Sequence, residues 1–510
     1  MKSICVAVCL ILGLSVLPCG AAETADILKF APEKFVLKTM RVNDIEASFR
    51  AYTDITYVAK PVDEEYQRLN LYIPEAYFEG KTVNGYTART APIFMPNNVG
   101  GYMPALQAEP GEDKRHGGGA NAVLTALSRG YVVAAPAIRG RTLKGQDGRN
   151  TGKAPAFIVD YKAAVRYLRH NRDVLPAGDT EKIISNGTSA GGALSTLLGV
   201  TGNVTDYDAY LKEIGAADER DDIFASMAYC PVTNLENANM AYEWVFNGID
   251  EYHQVNMGAM PSARQSEDNN EENLERPENA PVETAEALMM NAEQRRASDE
   301  LKAMFPVYVN GLGLKDEQGN SLTLDDEGHG SFQTFIESLY IASAQEALER
   351  GEDLSSLDWL TVQEGRVVDM DLSKYALWAT RMKAAPAFDS LDNSSGENSE
   401  FGTAAIDSQH FTEFSERRSL VPATMAKAEI VKIMNPMNYI GTGTTARHWR
   451  IRHGSKDRDT ALAVPAILAL KLREAGYDVD LAVPWGYGHD GDYDLDRLFD
   501  WMDKICKGQE

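Results

Sequence analysis

Apolar positions change rhythm several times along this chain. From residue 34 to 77 they alternate: Phe35, Leu37 and Met40, then Ile55, Tyr57 and Ala59, then Leu69, Leu71 and Ile73, punctuated by Pro61 and Pro74. A period of two predicts antiparallel strands at a sheet edge. Short, largely apolar runs then take over at 91–95, 131–136, 182–184 and 223–230. Helix-spaced segments separate them. One is 120–129, stopped by Gly130; another is 157–175, with Ile158, Tyr161, Val165 and Leu168 on one face. Buried strands alternating with helices predict right-handed crossovers and a mostly parallel sheet, hence an α/β fold.

The alternation stops between about Pro231 and Tyr439. Residues 266–279 are polar and acidic, 283–304 reads as an exposed helix, and 332–350 as an amphipathic one. Residues 360–371 predict a hairpin and 394–402 a polar, glycine-bearing loop. The rhythm resumes with strands at 449–452 and 478–483 and helices at 464–475 and 495–505. The expected organisation is a core of 23–230 and 440–510, with 231–439 inserted over the sheet's C-terminal edge as a lid.

The first 22 residues predict an export signal. Lys2 is followed by an apolar run from Ile4 to Val16, and Cys19-Gly20-Ala21-Ala22 offers a cleavage site. The run is too short for a comfortable bilayer span. Lipidation at Cys19 is the alternative, disfavoured by Pro18. The expectation is a secreted or periplasmic bacterial protein. Past that segment only Cys230 and Cys506 remain, read as two unpaired thiols rather than a bridge. No metal-ligand spacing or cofactor motif is present, and nothing sets an oligomeric state. A formal charge of −25 over 510 residues argues against nucleic acid as a partner.

Chemistry enters at Gly187-Thr188-Ser189-Ala190-Gly191, a G-x-S-x-G pattern between a strand and a helix. Chance would produce it about 0.2 times in a chain of this size, so context must carry the reading. A nucleophilic serine there needs a sharp turn flanked by residues without side chains. The Ala190 amide then points at a developing oxyanion. The loop at Gly100 and Gly101 follows the 91–95 strand, where this fold places its second oxyanion donor. Serine needs a base, and the base needs a carboxylate. His489 and Asp457 follow late strands in the order this fold uses. Asp459, Asp490, Asp492 and Asp494 compete for the acid role, with strand-end position favouring Asp457.

With these residues in hand, the chain resembles the bacterial tannases, tannin acyl hydrolases of the α/β-hydrolase fold with a large lid. The likeness rests on the elbow with Gly192, on Cys230-Pro231-Val232-Thr233-Asn234-Leu235, and on Ala241-Tyr242-Glu243-Trp244. It extends to Arg381-Met382-Lys383, Pro386-Ala387-Phe388-Asp389, Gly396-Glu397-Asn398, Arg452-His453-Gly454 with Asp457-Arg458-Asp459-Thr460, and His489 with Gly491-Asp492-Tyr493-Asp494. The resemblance implies Ser189 as nucleophile, His489 as base and Asp457 as its acid. It implies that Lys383, Glu397 and Asp459 read the three ring hydroxyls of a small-molecule galloyl ester, with no cofactor. A feruloyl-type or general carboxylesterase, or a serine peptidase of the same fold, is the alternative, since His453-Gly454 before Asp457 suits those too. An inactive binding module is a further reading, against which the intact Ser189, Asp457 and His489 set speaks.

Overall fold

The computed structural model of the chain describes residues 27–253 and 287–508. The segment read as an export signal, including Cys19, and the acidic run at 266–279 lie outside the described residues. Nine strands form the central sheet: β1 (Val36–Val42), β2 (Ile45–Thr56), β3 (Arg68–Pro74), β4 (Pro92–Pro96), β5 (Val132–Pro136), β6 (Asp179–Thr188), β7 (Ala225–Tyr229), β8 (His448–Arg452) and β9 (Asp478–Ala482). Their spatial order is β1-β2-β3-β5-β4-β6-β7-β8-β9. The β1–β2, β2–β3 and β3–β5 pairs are antiparallel; every pair from β5 to β9 is parallel.

This is an α/β-hydrolase fold with a mostly parallel sheet. Every residue of β4, β5 and β7 is buried, because helices cover both faces of the parallel block. The fully buried Ile93, Phe94 and Met95 of β4 each contribute about 1.5–3 kcal/mol relative to exposure. Helix Ala122–Ser128 is capped by Asn121, whose side chain accepts from the Leu124 amide. It packs near the closing helix Leu495–Lys507, from which Phe499 meets Tyr131 edgewise and Phe94 at a tilt.

Four expectations shift. The 55–59 strand is only the tail of β2, which starts at Ile45 and carries a bulge between Tyr52 and Ile55. Phe35, just before β1, and Leu37 within it stay largely exposed because β1 is the edge strand of the sheet. The helix expected at 283–304 runs instead from Ala292 to Gly311, started by an Asn291–Gln294 capping box. It is also not simply exposed: Ala297, Leu301, Phe305 and Val309 are buried, and Phe305 packs on Trp244. The 394–402 loop contains a short helix, Gly396–Glu400, with Ser395 as its capping residue.

The chain between β7 and β8 supplies helices Leu235–Phe246, Ala292–Gly311, Ser331–Glu349 and Leu372–Ala379, and a hairpin of Leu360–Gln363 with Arg366–Met370. Among the described residues no helix is long and apolar enough to cross a membrane. Cys230 and Cys506 are both buried free thiols.

Candidate active site

Ser189 follows the last residue of β6 and caps helix Ala190–Val200 with φ 61° and ψ −122°. That backbone costs about 1–3 kcal/mol and lasts only because its surroundings impose it. The Ser189 amide donates to the Tyr229 carbonyl at 3.0 Å, and the Ser189 carbonyl accepts from Ala193 at 2.9 Å and Val232 at 3.2 Å. The flanking glycines are steric requirements. A Cβ on Gly187 would lie 2.3 Å from the Gly191 carbonyl oxygen, and one on Gly191 would lie 2.5 Å from Asn97 Oδ1.

The sheet's C-terminal edge brings two more side chains to the serine. His489 Nε2 lies 2.8 Å from Ser189 Oγ, and its Nδ1 lies 2.9 Å from Asp457 Oδ2. The other carboxylate oxygen of Asp457 accepts from the Asp459 amide at 2.9 Å and the Thr460 amide at 3.3 Å, which locks its orientation. Burial works against its charge, but His489 and His453 outweigh that and hold the carboxyl below its usual range. For His489, burial again opposes the charge; Asp457 and Asp459 prevail, and the ring sits well above 6.5. Cys230 also faces this imidazole, but burial pushes its thiol up, so it is neutral at neutral pH. Cys230, Asp457 and His489 each offer a ligand atom within 4.8 Å of the others. An ion there would compete with the hydrogen bonds of His489.

The competing aspartates are engaged elsewhere. Asp490 pairs with His116 and Arg115, Asp492 accepts from Asn186, and Asp494 pairs with Arg450.

Asp459 points the other way along its loop. Its Oδ1 accepts from Lys383 Nζ at 2.9 Å and lies 3.6 Å from His489 Nε2. Burial disfavours its charge, yet Lys383 and then His489 hold the carboxyl at about 2. Lys383 is raised despite its burial, by Asp459 and Glu397, and its ammonium stands 4.2 Å over the Phe388 ring. Burial pushes the Glu397 carboxyl up, with Lys383 partly offsetting it. Glu397 opens the short helix Gly396–Glu400. Asn398 pins that helix by donating to Asp389 Oδ1 at 2.6 Å, and Asp389 also takes the Thr412 amide at 2.8 Å.

Several supports escaped the sequence reading. The Tyr242 hydroxyl donates to the Arg458 carbonyl at 3.0 Å and accepts from the amides of Met382 and Lys383 at 3.1 and 3.2 Å. One phenol therefore ties the Lys383 segment to the Asp457–Asp459 loop. Arg381 donates to the Lys383 carbonyl at 2.6 Å and forms a fully buried pair with Glu243. The available signal was Glu243, a charge set between Ala241-Tyr242 and Trp244-Val245-Phe246 in the apolar second half of helix Leu235–Phe246. Asn97 Nδ2 donates to the Asn186 and Gly191 carbonyls at 2.9 and 3.1 Å, clamping the loop after β4 to the elbow. Arg141 Nε holds the Gly101 carbonyl at 2.7 Å. The amides of Ala190, Gly100 and Gly101 meet no backbone acceptor among the described residues, and Gly100 and Gly101 line the same cavity as Ser189.

The structure of a Fusobacterium nucleatum tannase is 48% identical and superposes with a TM-score of 0.87, covering 94% of this chain and 99% of that one. This chain belongs to the bacterial tannase family. A Lactobacillus plantarum tannase matches at 44% identity and TM-score 0.86, over 94% of this chain and 100% of that one. A tannin acyl hydrolase in complex with ethyl gallate matches at 43% and 0.85, over 94% and 99%. Residues 110–307 match the BD-FAE family, an α/β-hydrolase family. No curated protein sequence matches. As a tannase-family member the chain is a carboxylic ester hydrolase, which sets aside the reading as an inactive binding module.

Proposed function

We propose that the protein hydrolyses galloyl esters through an acyl-enzyme, releasing gallic acid. Family membership supports galloyl ester chemistry, and a 43% identical tannin acyl hydrolase forms a complex with ethyl gallate. The observation that carries the reading in this chain is the placement of Lys383, Asp459 and Glu397 beside the Ser189–His489–Asp457 line. Carboxylates accept hydrogen bonds from phenolic hydroxyls, and an ammonium donates to a phenol oxygen. Without substrate Lys383 and Asp459 pair with each other while Glu397 acts on the Lys383 ammonium through its field, and the ring hydroxyls would enter that network.

In this reading Ser189 Oγ attacks the ester carbon as His489 Nε2 takes its proton. Asp457 holds the ring so that Nε2 faces the serine and stabilises the imidazolium. The amides of Ala190 and of Gly100 or Gly101 receive the oxyanion. The C–O bond to the alcohol breaks as His489 returns the proton to the leaving oxygen. Water then repeats the attack with His489 again as base, freeing gallate and Ser189. The first 22 residues support export of the protein out of the cytoplasm.

The test is a hydrolysis panel of methyl gallate, methyl ferulate, a p-nitrophenyl acyl ester and a peptide. Preference for methyl gallate by at least a hundredfold over methyl ferulate is expected. Equal turnover of the two, or cleavage of the peptide, would overturn the reading.

A further inference from the structure

Arg452-His453-Gly454 leads out of β8 into the loop that carries Asp457, and the chemistry described so far leaves His453 without a task. The side chain is fully buried, and neither ring nitrogen has a hydrogen-bond partner among the described residues. A phenylalanine would fill the same space without leaving two polar atoms unpaired, so packing alone does not call for histidine. What the ring faces is the carboxylate of the triad. Its Nδ1 lies 3.6 Å from Asp457 Oδ2, the oxygen that meets His489 Nδ1 at 2.9 Å. One oxygen thus faces two imidazoles, bonded to one and just beyond hydrogen-bond reach of the other.

The loops fix this arrangement. The His453 amide donates to the Ala482 carbonyl at 3.2 Å, that of Ser455 to Pro484 at 3.0 Å, and that of Lys456 to Tyr487 at 2.8 Å. Gly454 lets the two segments close, since a Cβ there would lie 2.2 Å from the Tyr487 carbonyl oxygen. The loop bearing His453 and Asp457 is thereby zipped to the one that delivers His489. Burial pushes the His453 ring below its ordinary 6.5 despite the pull of Asp457, so it is neutral at neutral pH. A neutral imidazole has one N–H, and an anionic oxygen opposite Nδ1 selects the tautomer that carries the proton there.

We infer that His453 is a positioning residue that acts through Asp457, its Nδ1–H serving as second donor to Oδ2 and closing the remaining gap as His489 takes the serine proton. Two donors on one oxygen lower its affinity for a further proton, so the Nδ1 proton of His489 stays on the imidazole. The other groups around the carboxylate leave this place free. Oδ1 takes the amides of Asp459 and Thr460, and the Asp459 carboxylate and Cys230 thiol bear on His489. The hydroxyls of Tyr340 and Tyr375, kept neutral by burial, bond to each other and to the Ser455 carbonyl. The inference rests on the Ser189–His489–Asp457 mechanism above.

Three variants separate a donor from a packing role. His453→Phe keeps the ring without a donor, His453→Asn puts an amide N–H where Nδ1 stands, and His453→Gln puts one at the place of Nε2. On a small activated ester His453→Phe should lose about ten- to a hundredfold in kcat with little change in KM. The rising limb of its kcat/KM profile should move to higher pH, because Asp457 deprived of its second donor stabilises the imidazolium more. His453→Asn should restore both kcat and limb, and His453→Gln neither. A measurement on the unaltered protein stands beside these. In protein labelled with 15N-histidine, the signal missing from His453→Asn should report a neutral ring protonated at Nδ1 throughout the range in which activity rises. An Nε2–H tautomer or a protonated ring would overturn the inference. So would a wild-type kcat and limb in His453→Phe, or equal impairment of the Asn and Phe variants on an unmoved limb. Failure of a fluorophosphonate to label Ser189 in the wild type would instead overturn the triad itself.

Discussion

Oδ1 of Asp459 lies 3.6 Å from Nε2 of His489. The carboxylate assigned to a ring hydroxyl thus also bears on the proposed base, and Asp459 is ionised across the working range because its carboxyl is held at about 2. An imidazolium cannot take the serine proton. Because the ring is raised above 6.5, kcat/KM should climb with pH along a limb that lies above pH 6.5. Asp459→Asn removes a negative charge and so disfavours the imidazolium, moving that limb to lower pH. A small activated ester is the substrate to use, since it does not depend on ring recognition. The same raised group contributes stability fully below pH 6.5, and this is lost as pH rises through its folded value. A limb at or below pH 6.5 that ignores Asp459→Asn would refute this coupling.

Ser189→Ala should lower kcat on methyl gallate by about 10⁴–10⁶-fold, with His489→Ala close behind. Asp457→Asn should cost about 10⁴, because the amide favours the wrong imidazole tautomer. Far-UV circular dichroism should be unchanged in all three. More than a few per cent of activity in Ser189→Ala would exclude that hydroxyl as nucleophile.

Specificity separates the two aspartates. Sites that hydrogen-bond ring hydroxyls reject analogues lacking them by up to about 10⁴–10⁵, because the buried partners go unpaired. Methyl gallate should therefore be turned over far faster than methyl benzoate, with a dihydroxybenzoate ester between. Lys383→Ala, Glu397→Ala and Asp459→Ala should each shrink that span while a small activated ester is still cleaved. If Asp457→Ala spared the activated ester and Asp459→Ala did not, the assignments would be reversed.

Tyr242→Phe removes the hydroxyl shared by Arg458, Met382 and Lys383. Leaving those groups unpaired should cost about 1–3 kcal/mol each where they remain buried, and should raise KM for methyl gallate more than it lowers kcat. Arg381→Met should be harsher. It strands Glu243 in a site where both partners are fully buried, at about 3–5 kcal/mol, read as a large drop in Tm. An unchanged Tm in Arg381→Met would mean that this pair does not anchor the Lys383 segment.

What the sequence alone could determine is what local sterics and periodicity govern. The short apolar runs at β4, β5 and β7, each too brief for a helix and set between helix-spaced segments, read as strands covered on both faces, so the parallel sheet was readable. The clash that excludes a side chain at Gly187 is with Gly191, four residues on, so the elbow was readable too, although the clash at Gly191 comes from Asn97 in the distant loop after β4. Periodicity carried less at β1, whose alternating apolar residues meet solvent at the sheet's edge, and in helix Ala292–Gly311, whose polar residues hid a buried stripe. Helix Gly396–Glu400 depends on its Ser395 cap and on the Asn398–Asp389 anchor, neither of which has a periodic signature. Tertiary structure alone decided that Asp457 faces Nδ1 of His489 while Asp459, two residues on, faces Lys383 across 76 positions of chain. Spacing cannot separate two such aspartates, because their directions are set by backbone amides at 459 and 460 and by the long-range docking of the Lys383 segment through Tyr242 and Arg381.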